Sequence, residues 1–146
     1  MILTNDFGFA IFDFGLGDND VNEAEFKKRT KHLALRTIKL VESLPSSVAG
    51  HVLGKQLLRS STSVGANYRA VCRAKSPADM INKLRIVEEE ADESGYWLEL
   101  IGESELVKPE RLTELINDFD EIVAMVVASQ KTLRANNPQS KIENPK

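Results

Sequence analysis

The sequence is poor in the residues that build metal centres, disulfide frameworks and tight turns. It contains one cysteine and two histidines among 146 residues, with 8 glycines and 5 prolines. A single cysteine excludes an intramolecular disulfide, which favours a reducing, cytoplasmic location. Because turn residues are sparse and the stretches between them are long, helices are favoured over a β-sandwich or barrel.

Long hydrophobic runs are also lacking. No apolar run approaches the ~20 residues that a membrane-spanning helix requires, so no membrane partner is predicted. The first 20 residues are apolar and aromatic but contain no lysine or arginine, and they lack the charged start of a signal peptide. We interpret residues 1–22 as a flexible N-terminal arm, with docking of its aromatic side chains on a neighbouring subunit as the alternative.

Apolar residues recur at helical spacing in four stretches, which predict helices over residues 23–43, 48–75, 77–101 and 109–134. Asn22 and Ser76 are suited to cap the first and third helices, and Gly102 to end the third in a left-handed conformation. Short connections favour antiparallel neighbours. The prediction is an all-α fold, an antiparallel up-down-up-down four-helix bundle over residues 23–134, followed by a disordered tail at 135–146.

The middle of the second predicted helix reads SSTSVGAN, from Ser60 to Asn67. Serine, threonine and glycine are poor helix formers, so this stretch costs a few kcal/mol relative to alanine, roughly. Small side chains let helices approach closely. Tight packing is therefore the favoured explanation, with a functional surface as the alternative.

Charge is divided unevenly along the chain. Residues 23–86 carry 13 Lys/Arg and 4 Asp/Glu, whereas residues 87–146 carry 6 Lys/Arg and 14 Asp/Glu. A basic half joined to an acidic half is typical of a chain that associates with itself or meets a charged partner on one side only.

Catalytic and metal-binding patterns are absent from the sequence. Neither His32 nor His51 has a glutamate three residues before it, so the Glu-x-x-His pairs of bundle metal sites do not occur. No phosphate-binding loop, zinc-ligand spacing or nucleophile elbow is present. Cys72 lies within a helical pattern and is interpreted as a small buried apolar residue. We expect no enzyme activity, no metal, no cofactor and no small-molecule substrate.

A stripe of cations follows the second predicted helix, within an arc of about 80° at ~100° per residue. It lies nearly opposite the apolar positions, so its side chains are predicted to point outward. The interpretations are simple solubility, phosphate binding, or an ion-paired protein interface. With cations of the first helix, the candidate nucleic-acid-binding residues are Lys55, Arg59, Arg69, Arg73, Lys27, Lys28 and Lys31.

The third predicted helix carries a second apolar line away from its core positions, with acids beside it. Tryptophan and tyrosine outside a core are typical of interface anchors, although Trp97 flanking the core is an equal alternative. The acids and aromatics are expected to meet the cations of the next subunit, in a head-to-tail contact that closes a ring. The candidate interface residues are Ile86, Glu90, Glu93, Tyr96, Trp97 and Leu100.

The segment from Gln56 to Ile101 resembles the four-helix bundle family encoded by intervening sequences in bacterial 23S ribosomal RNA genes. The resemblance includes an R-S-x-x-S-x-G-A-N-Y-R block at 59–69, an A-x-S-x-x-D block at 74–79, a K-L pair at 83–84 and an E-x-x-Y-W-L-E-L block at 93–100. It implies a bundle that assembles as a ring, typically a homopentamer. Most members have no established activity.

A relative of that family implies a second function. The accessory variability determinant of diversity-generating retroelements is similar in fold, strongly basic, and binds nucleic acid and a reverse transcriptase. The present chain departs from it in its acidic second half. The sequence thus favours a self-assembling scaffold or adaptor, a homo-oligomer with itself and a protein or nucleoprotein as partners. The alternative is a module that binds RNA or DNA through the basic face of the first two helices.

Overall fold

The computed structural model describes residues 22–136, and the parts of the predicted arm and tail at 1–21 and 137–146 lie outside the described residues. The described residues form four helices and no strand, which confirms the predicted all-α four-helix bundle. The helices are α1 (Glu23–Glu42), α2 (Val48–Val71), α3 (Pro77–Glu103) and α4 (Thr113–Asn136).

Side-chain caps set the start of three helices. In each, a polar side chain accepts a hydrogen bond from the backbone N–H three residues later, which satisfies a donor that the helix itself leaves unpaired. The capping pairs are Asn22 with Glu25 at 2.9 Å, Ser47 with Gly50 at 3.0 Å, and Ser76 with Asp79 at 3.0 Å. The caps predicted at Asn22 and Ser76 are therefore confirmed.

The second helix is shorter than predicted. α2 ends at Val71, four residues before the predicted end at 75. The N–H groups of Arg73 and Ala74 bond to carbonyls three residues earlier, both at 3.1 Å, which tightens the last turn. Ser76 must be extended because it precedes Pro77, so the chain leaves the helix early. Arg73 consequently lies beyond α2 and not on its outer face.

The third helix ends differently from the prediction at Gly102. α3 continues two residues past 101, and the residue with positive φ is Glu105, at 61°. The N–H of Leu106 bonds to the carbonyl of Ile101 at 3.1 Å, as in a Schellman motif. Gly102 instead lies at a close contact, because a Cβ there would lie 3.2 Å from Leu112 Cδ1.

The fourth helix also begins later than predicted. Pro109–Arg111 forms a 3-10 turn, and α4 runs from Thr113 to Asn136, two residues past the predicted end of the bundle at 134. Within the turn, the N–H of Leu112 bonds to the Pro109 carbonyl at 3.0 Å. Leu112 is buried, so the turn serves to bring an apolar side chain into the core.

Large apolar side chains from all four helices fill the core. Phe26 of α1 and Tyr68 of α2 are fully buried, with ring centroids 4.4 Å apart. Each fully buried side chain of this size contributes roughly 1.5–3 kcal/mol to folding. On α3, the apolar positions that repeat at helical spacing on the core side are all buried: Met80, Leu84, Val87, Ala91, Leu98 and Ile101.

Small residues let α2 pack closely against both of its neighbours. Ser60 of α2 and Ser94 of α3 are both fully buried, and the Ser94 hydroxyl donates to Ser60 Oγ at 2.9 Å. On the other side of α2, a Cβ on Gly65 would lie 3.2 Å from Thr30 Oγ1 of α1. Tight packing, predicted for this serine-rich stretch, is confirmed.

Alanine substitutions at two glycines should change stability in opposite directions. A Cβ at Gly50 would lie 2.3 Å from the Pro45 carbonyl oxygen, whereas a Cβ at Gly95 would meet nothing within 4 Å. We expect Gly50→Ala to lower the free energy of unfolding and Gly95→Ala to raise it by about 0.5–1 kcal/mol, because alanine stabilises a helix interior relative to glycine. Urea unfolding at one fixed protein concentration measures both changes. Equal shifts in the same direction would contradict the packing described.

Candidate functional site

An apolar and aromatic surface runs along the side of α3 that faces away from the core. We call this surface, formed by Ile86, Tyr96, Trp97 and Leu100, the outer face of α3. Ile86 is 41% exposed and Tyr96 is 52% exposed, while Trp97 and Leu100 are half-buried. The Tyr96 and Trp97 rings lie 5.1 Å apart between centroids, at 57°. A helix in a monomeric bundle buries one face, so this second apolar face is unusual.

Trp97 lies at the boundary between the outer face of α3 and the core. Its ring packs against the buried core cluster while remaining half-exposed. The sequence left two interpretations open, a tryptophan beside the core and a tryptophan on a second surface. Both apply, because one part of the Trp97 ring contacts the core and another part is exposed. A rigidly held ring of this kind loses little conformational entropy when a partner covers it.

An ion-pair network from α2 holds this tryptophan in place. The Trp97 indole N–H donates to Glu93 Oε1 at 3.1 Å, and the Arg59 guanidinium donates to Glu93 and, at 3.2 Å, to Glu90. The hydrogen bond from Arg59 lowers the pKa of Glu93, and the same bond raises the pKa of Arg59. The sequence suggested that such cations and acids meet between subunits. In the structure, Arg59 meets Glu90 and Glu93 within one chain, because antiparallel packing of α2 on α3 brings them together. A role for Glu90 and Glu93 between subunits stays a prediction.

A groove of about 570 Å³ lies between α1 and α2, on the opposite side of α2 from α3. Four of the predicted nucleic-acid-binding cations line it, and no acidic side chain does. Its floor is made of small residues. We call it the basic groove; its lining is Lys27, Lys28, Thr30, Lys31 and Ala34 of α1 with Thr62, Gly65, Ala66 and Arg69 of α2.

The cations of the basic groove differ in how they are paired. Lys27 Nζ donates to Glu23 Oε1 at 2.8 Å, and this bond raises the pKa of Lys27. Within residues 22–136, no ion pair joins Lys28, Lys31 or Arg69 to an acid. These three cations therefore carry charge that the described bundle leaves available to a ligand.

The structure does not bring the other three predicted cations to the basic groove. Arg59 is engaged by α3, and Arg73 lies beyond the end of α2. Lys55 lines a separate, smaller cavity near the α1–α2 connection, together with Glu42 and His51. The predicted cationic stripe is thus divided among four places.

Sequence reasoning missed the groove itself. The spacing of Thr62, Gly65 and Ala66 puts three small residues on one side of α2, beside the predicted cation Arg69. Small residues next to a line of cations are a signal for a concave charged surface, because nothing fills the space between the two helices. The sequence shows that signal, but only the pairing of α1 with α2 shows which lysines face it.

The described residues give no support for a metal site, a reactive cysteine or a membrane-spanning helix. No group of three or more His, Cys, Asp or Glu side chains in residues 22–136 could hold a metal ion. Burial raises the pKa of the half-buried Cys72 to about 11, so its thiol stays protonated near neutral pH. None of α1 to α4 combines the length and the apolar character needed to cross a bilayer.

The Arg59–Glu93 pair should be visible in the fluorescence of Trp97, the only tryptophan in the chain. Arg59 lowers the folded-state pKa of Glu93 below its usual 4.5. The pair is therefore formed above the usual pKa and lost as the pH falls through the lowered one. We expect the acid transition in Trp97 emission to lie below pH 4.5 and to move up toward it in Arg59→Gln. Arg73→Gln is the matched control, and a midpoint that Arg59→Gln leaves unmoved would contradict the pair.

Comparisons with known proteins agree with the bundle. No protein with curated annotation matches the chain. The structure is similar to a crystal structure from Bacteroides thetaiotaomicron VPI-5482, a protein with unknown function from the S23 ribosomal protein family. That protein is 38% identical over 75% of this chain and 97% of its own, with a TM-score of 0.69. The sequence profile of the 23S rRNA-intervening sequence protein family matches residues 22–128. This chain therefore belongs to the 23S rRNA-intervening sequence protein family.

Proposed function

We propose that the protein is a non-enzymatic scaffold or adaptor that assembles with copies of itself into a closed ring through the outer face of α3. The observation that carries the proposal is the exposure of Ile86 and Tyr96, at 41% and 52%, beside a half-buried Trp97. Aromatic side chains near the centre of an interface commonly supply most of its binding energy.

The network around Trp97 favours a preformed binding surface. Because Glu93, itself paired with Arg59, already accepts the indole N–H, the tryptophan needs no new polar partner when a second subunit covers it. Removal of this apolar surface from water contributes roughly 25 cal/mol per Å². The ordering cost is small, since the side chains lie on one rigid helix.

A closed ring requires that the outer face of α3 meets a different surface of the next subunit. A contact between two copies of the same face would be two-fold and would stop at a dimer. Beside this face, Glu90 and Glu93 are paired with Arg59 within the chain. The contact therefore depends on apolar burial more than on ion pairs between subunits, and it should persist at high salt.

Polar substitutions on the outer face of α3 should dissociate the assembly. We expect Ile86→Ser combined with Tyr96→Ser to reduce the mass of the particle to that of a monomer, because both exposed side chains lose their apolar contact. Leu35→Ser on α1 is the matched control, since Leu35 is also about half-exposed, at 51%, and should leave the mass unchanged. Light scattering after gel filtration at micromolar concentration gives the mass. A monomeric wild-type protein, or a double variant of unchanged mass, rules the proposal out.

A second candidate function is the binding of RNA or DNA through the basic groove. The specific observation is that Lys28, Lys31 and Arg69 converge on one groove without an acidic neighbour in its lining. Phosphate groups are bound by such cations without readout of base sequence. The resemblance to the accessory variability determinant, which binds nucleic acid, favours the same class of ligand.

The two candidate functions are compatible within one assembly. The basic groove lies between α1 and α2, whereas the outer face of α3 lies beyond the other side of α2. A ring would present one groove on each subunit. Several weak phosphate contacts on one particle then reinforce each other through effective concentration.

Nucleic-acid binding should be steeply dependent on salt. With the three unpaired cations of the groove on a single strand, affinity is expected to fall about 20-fold between 50 and 200 mM salt. Lys28→Glu with Lys31→Glu should weaken binding at least tenfold, by roughly the same counterion argument. Lys39→Glu with Lys108→Glu changes the net charge equally outside the groove and is the control. Fluorescence anisotropy with labelled single-stranded RNA and duplex DNA measures the affinities. Equal losses in the two double variants would place binding elsewhere, and no binding at low salt would remove this candidate.

A further inference from the structure

The basic groove combines two kinds of surface that a simple phosphate would not use together. Lysine and arginine heads stand at its rim, while Ala34, Gly65 and Ala66 line it without charge. The aliphatic stems of Lys28 and Lys31 add apolar surface below their charged ends. A ligand that fills such a groove carries negative charges and apolar groups side by side.

The segment before the bundle has this composition. Residues 1–21 contain four aspartates and no lysine or arginine, and they include four of the six phenylalanines in the chain. Acids and aromatics alternate closely along it, as in Phe12, Asp13 and Phe14. Its charge and its apolar side chains therefore complement the rim and the floor of the basic groove.

The segment is also long enough to reach the groove of its own chain. It joins α1 at Asn22, and the α1 residues that line the groove run from Lys27 to Ala34. At ~1.5 Å per helical residue, these positions lie about 8–18 Å along the helix axis from Asn22. Three to six extended residues span that distance at ~3.3 Å each. The phenylalanines between positions 7 and 14 can thus reach the groove when the chain turns back along α1.

We propose that the basic groove binds residues 1–21 of the same chain, with phenylalanine side chains on its floor and aspartates at its lysine rim. The tether raises the effective concentration of the segment at the groove to the millimolar range, roughly, so a weak contact suffices. A segment bound there competes with any phosphate ligand. The proposal rests on the groove alone and does not require that nucleic acid be the ligand.

The test uses the full chain and a carbodiimide, which joins carboxylates to amines that touch them. Mass spectrometry then identifies the cross-linked peptides. We expect Asp6 and Asp13 to be linked to Lys28 or Lys31 in the wild-type protein. A mixture of isotope-labelled and unlabelled protein separates links within one chain from links between chains.

The decisive variant is Phe9→Ser with Phe12→Ser. It keeps the aspartates and the tether and removes only the apolar contacts, and it leaves every residue of the bundle unchanged. Docking predicts that the links to Lys28 and Lys31 fall at least fivefold. It also predicts that both lysines react faster with an acetylating reagent, relative to Lys39. The proposal is overturned if the variant is cross-linked and acetylated as the wild type is, or if the links form only between chains.

Discussion

The close approach of α2 to both α1 and α3 is the constraint on which the surfaces of this bundle depend. Ser60 meets Ser94 of α3 through a buried hydrogen bond, and Gly65 leaves room for Thr30 of α1. Small residues at these positions forgo helix propensity, at ~0.5–1 kcal/mol for each glycine. In return, α2 packs against two neighbouring helices at short range.

The cations on the two sides of α2 are paired differently because the neighbouring helices differ in charge. On the α3 side, Arg59 reaches across the narrow gap to Glu90 and Glu93, and the pair fixes the indole of Trp97. On the α1 side, Arg69 faces lysines, so like charges border a groove in which the described chain pairs only Lys27 with an acid. One packing arrangement therefore produces both a rigid apolar face and a cationic groove.

Local features of this fold could be predicted from the sequence, and features set by tertiary contact could not. The caps at Asn22 and Ser76 depend on residues three apart, and the sequence identifies them. The role of Gly102 depends on Leu112, which approaches it from a later turn of the chain, so its φ could not be foreseen. The partners of Arg59 could not be predicted for the same reason: a helical wheel gives direction but not the neighbour that a long side chain reaches.

The same distinction between local sequence and tertiary contact applies to the two candidate surfaces. The apolar positions of the outer face of α3 repeat with helical spacing, so the sequence located them. The basic groove depends on which side of α1 meets α2, and a single sequence does not state that pairing. Only four of seven predicted cations therefore line the groove.

The uneven charge of the two halves is paired in part inside the fold. Arg29 pairs with Glu121 and Arg36 pairs with Asp118 where α1 meets α4. Arg59 plays the same part between α2 and α3. An asymmetry that suggests a charged partner thus serves in part to join basic helices to acidic ones. Among the cations left without an ion pair in the described residues, Lys28, Lys31 and Arg69 lie together where two basic helices meet, because α1 and α2 have few acids to offer each other. The basic groove is therefore the place where the charge of this chain most needs a ligand from outside the bundle.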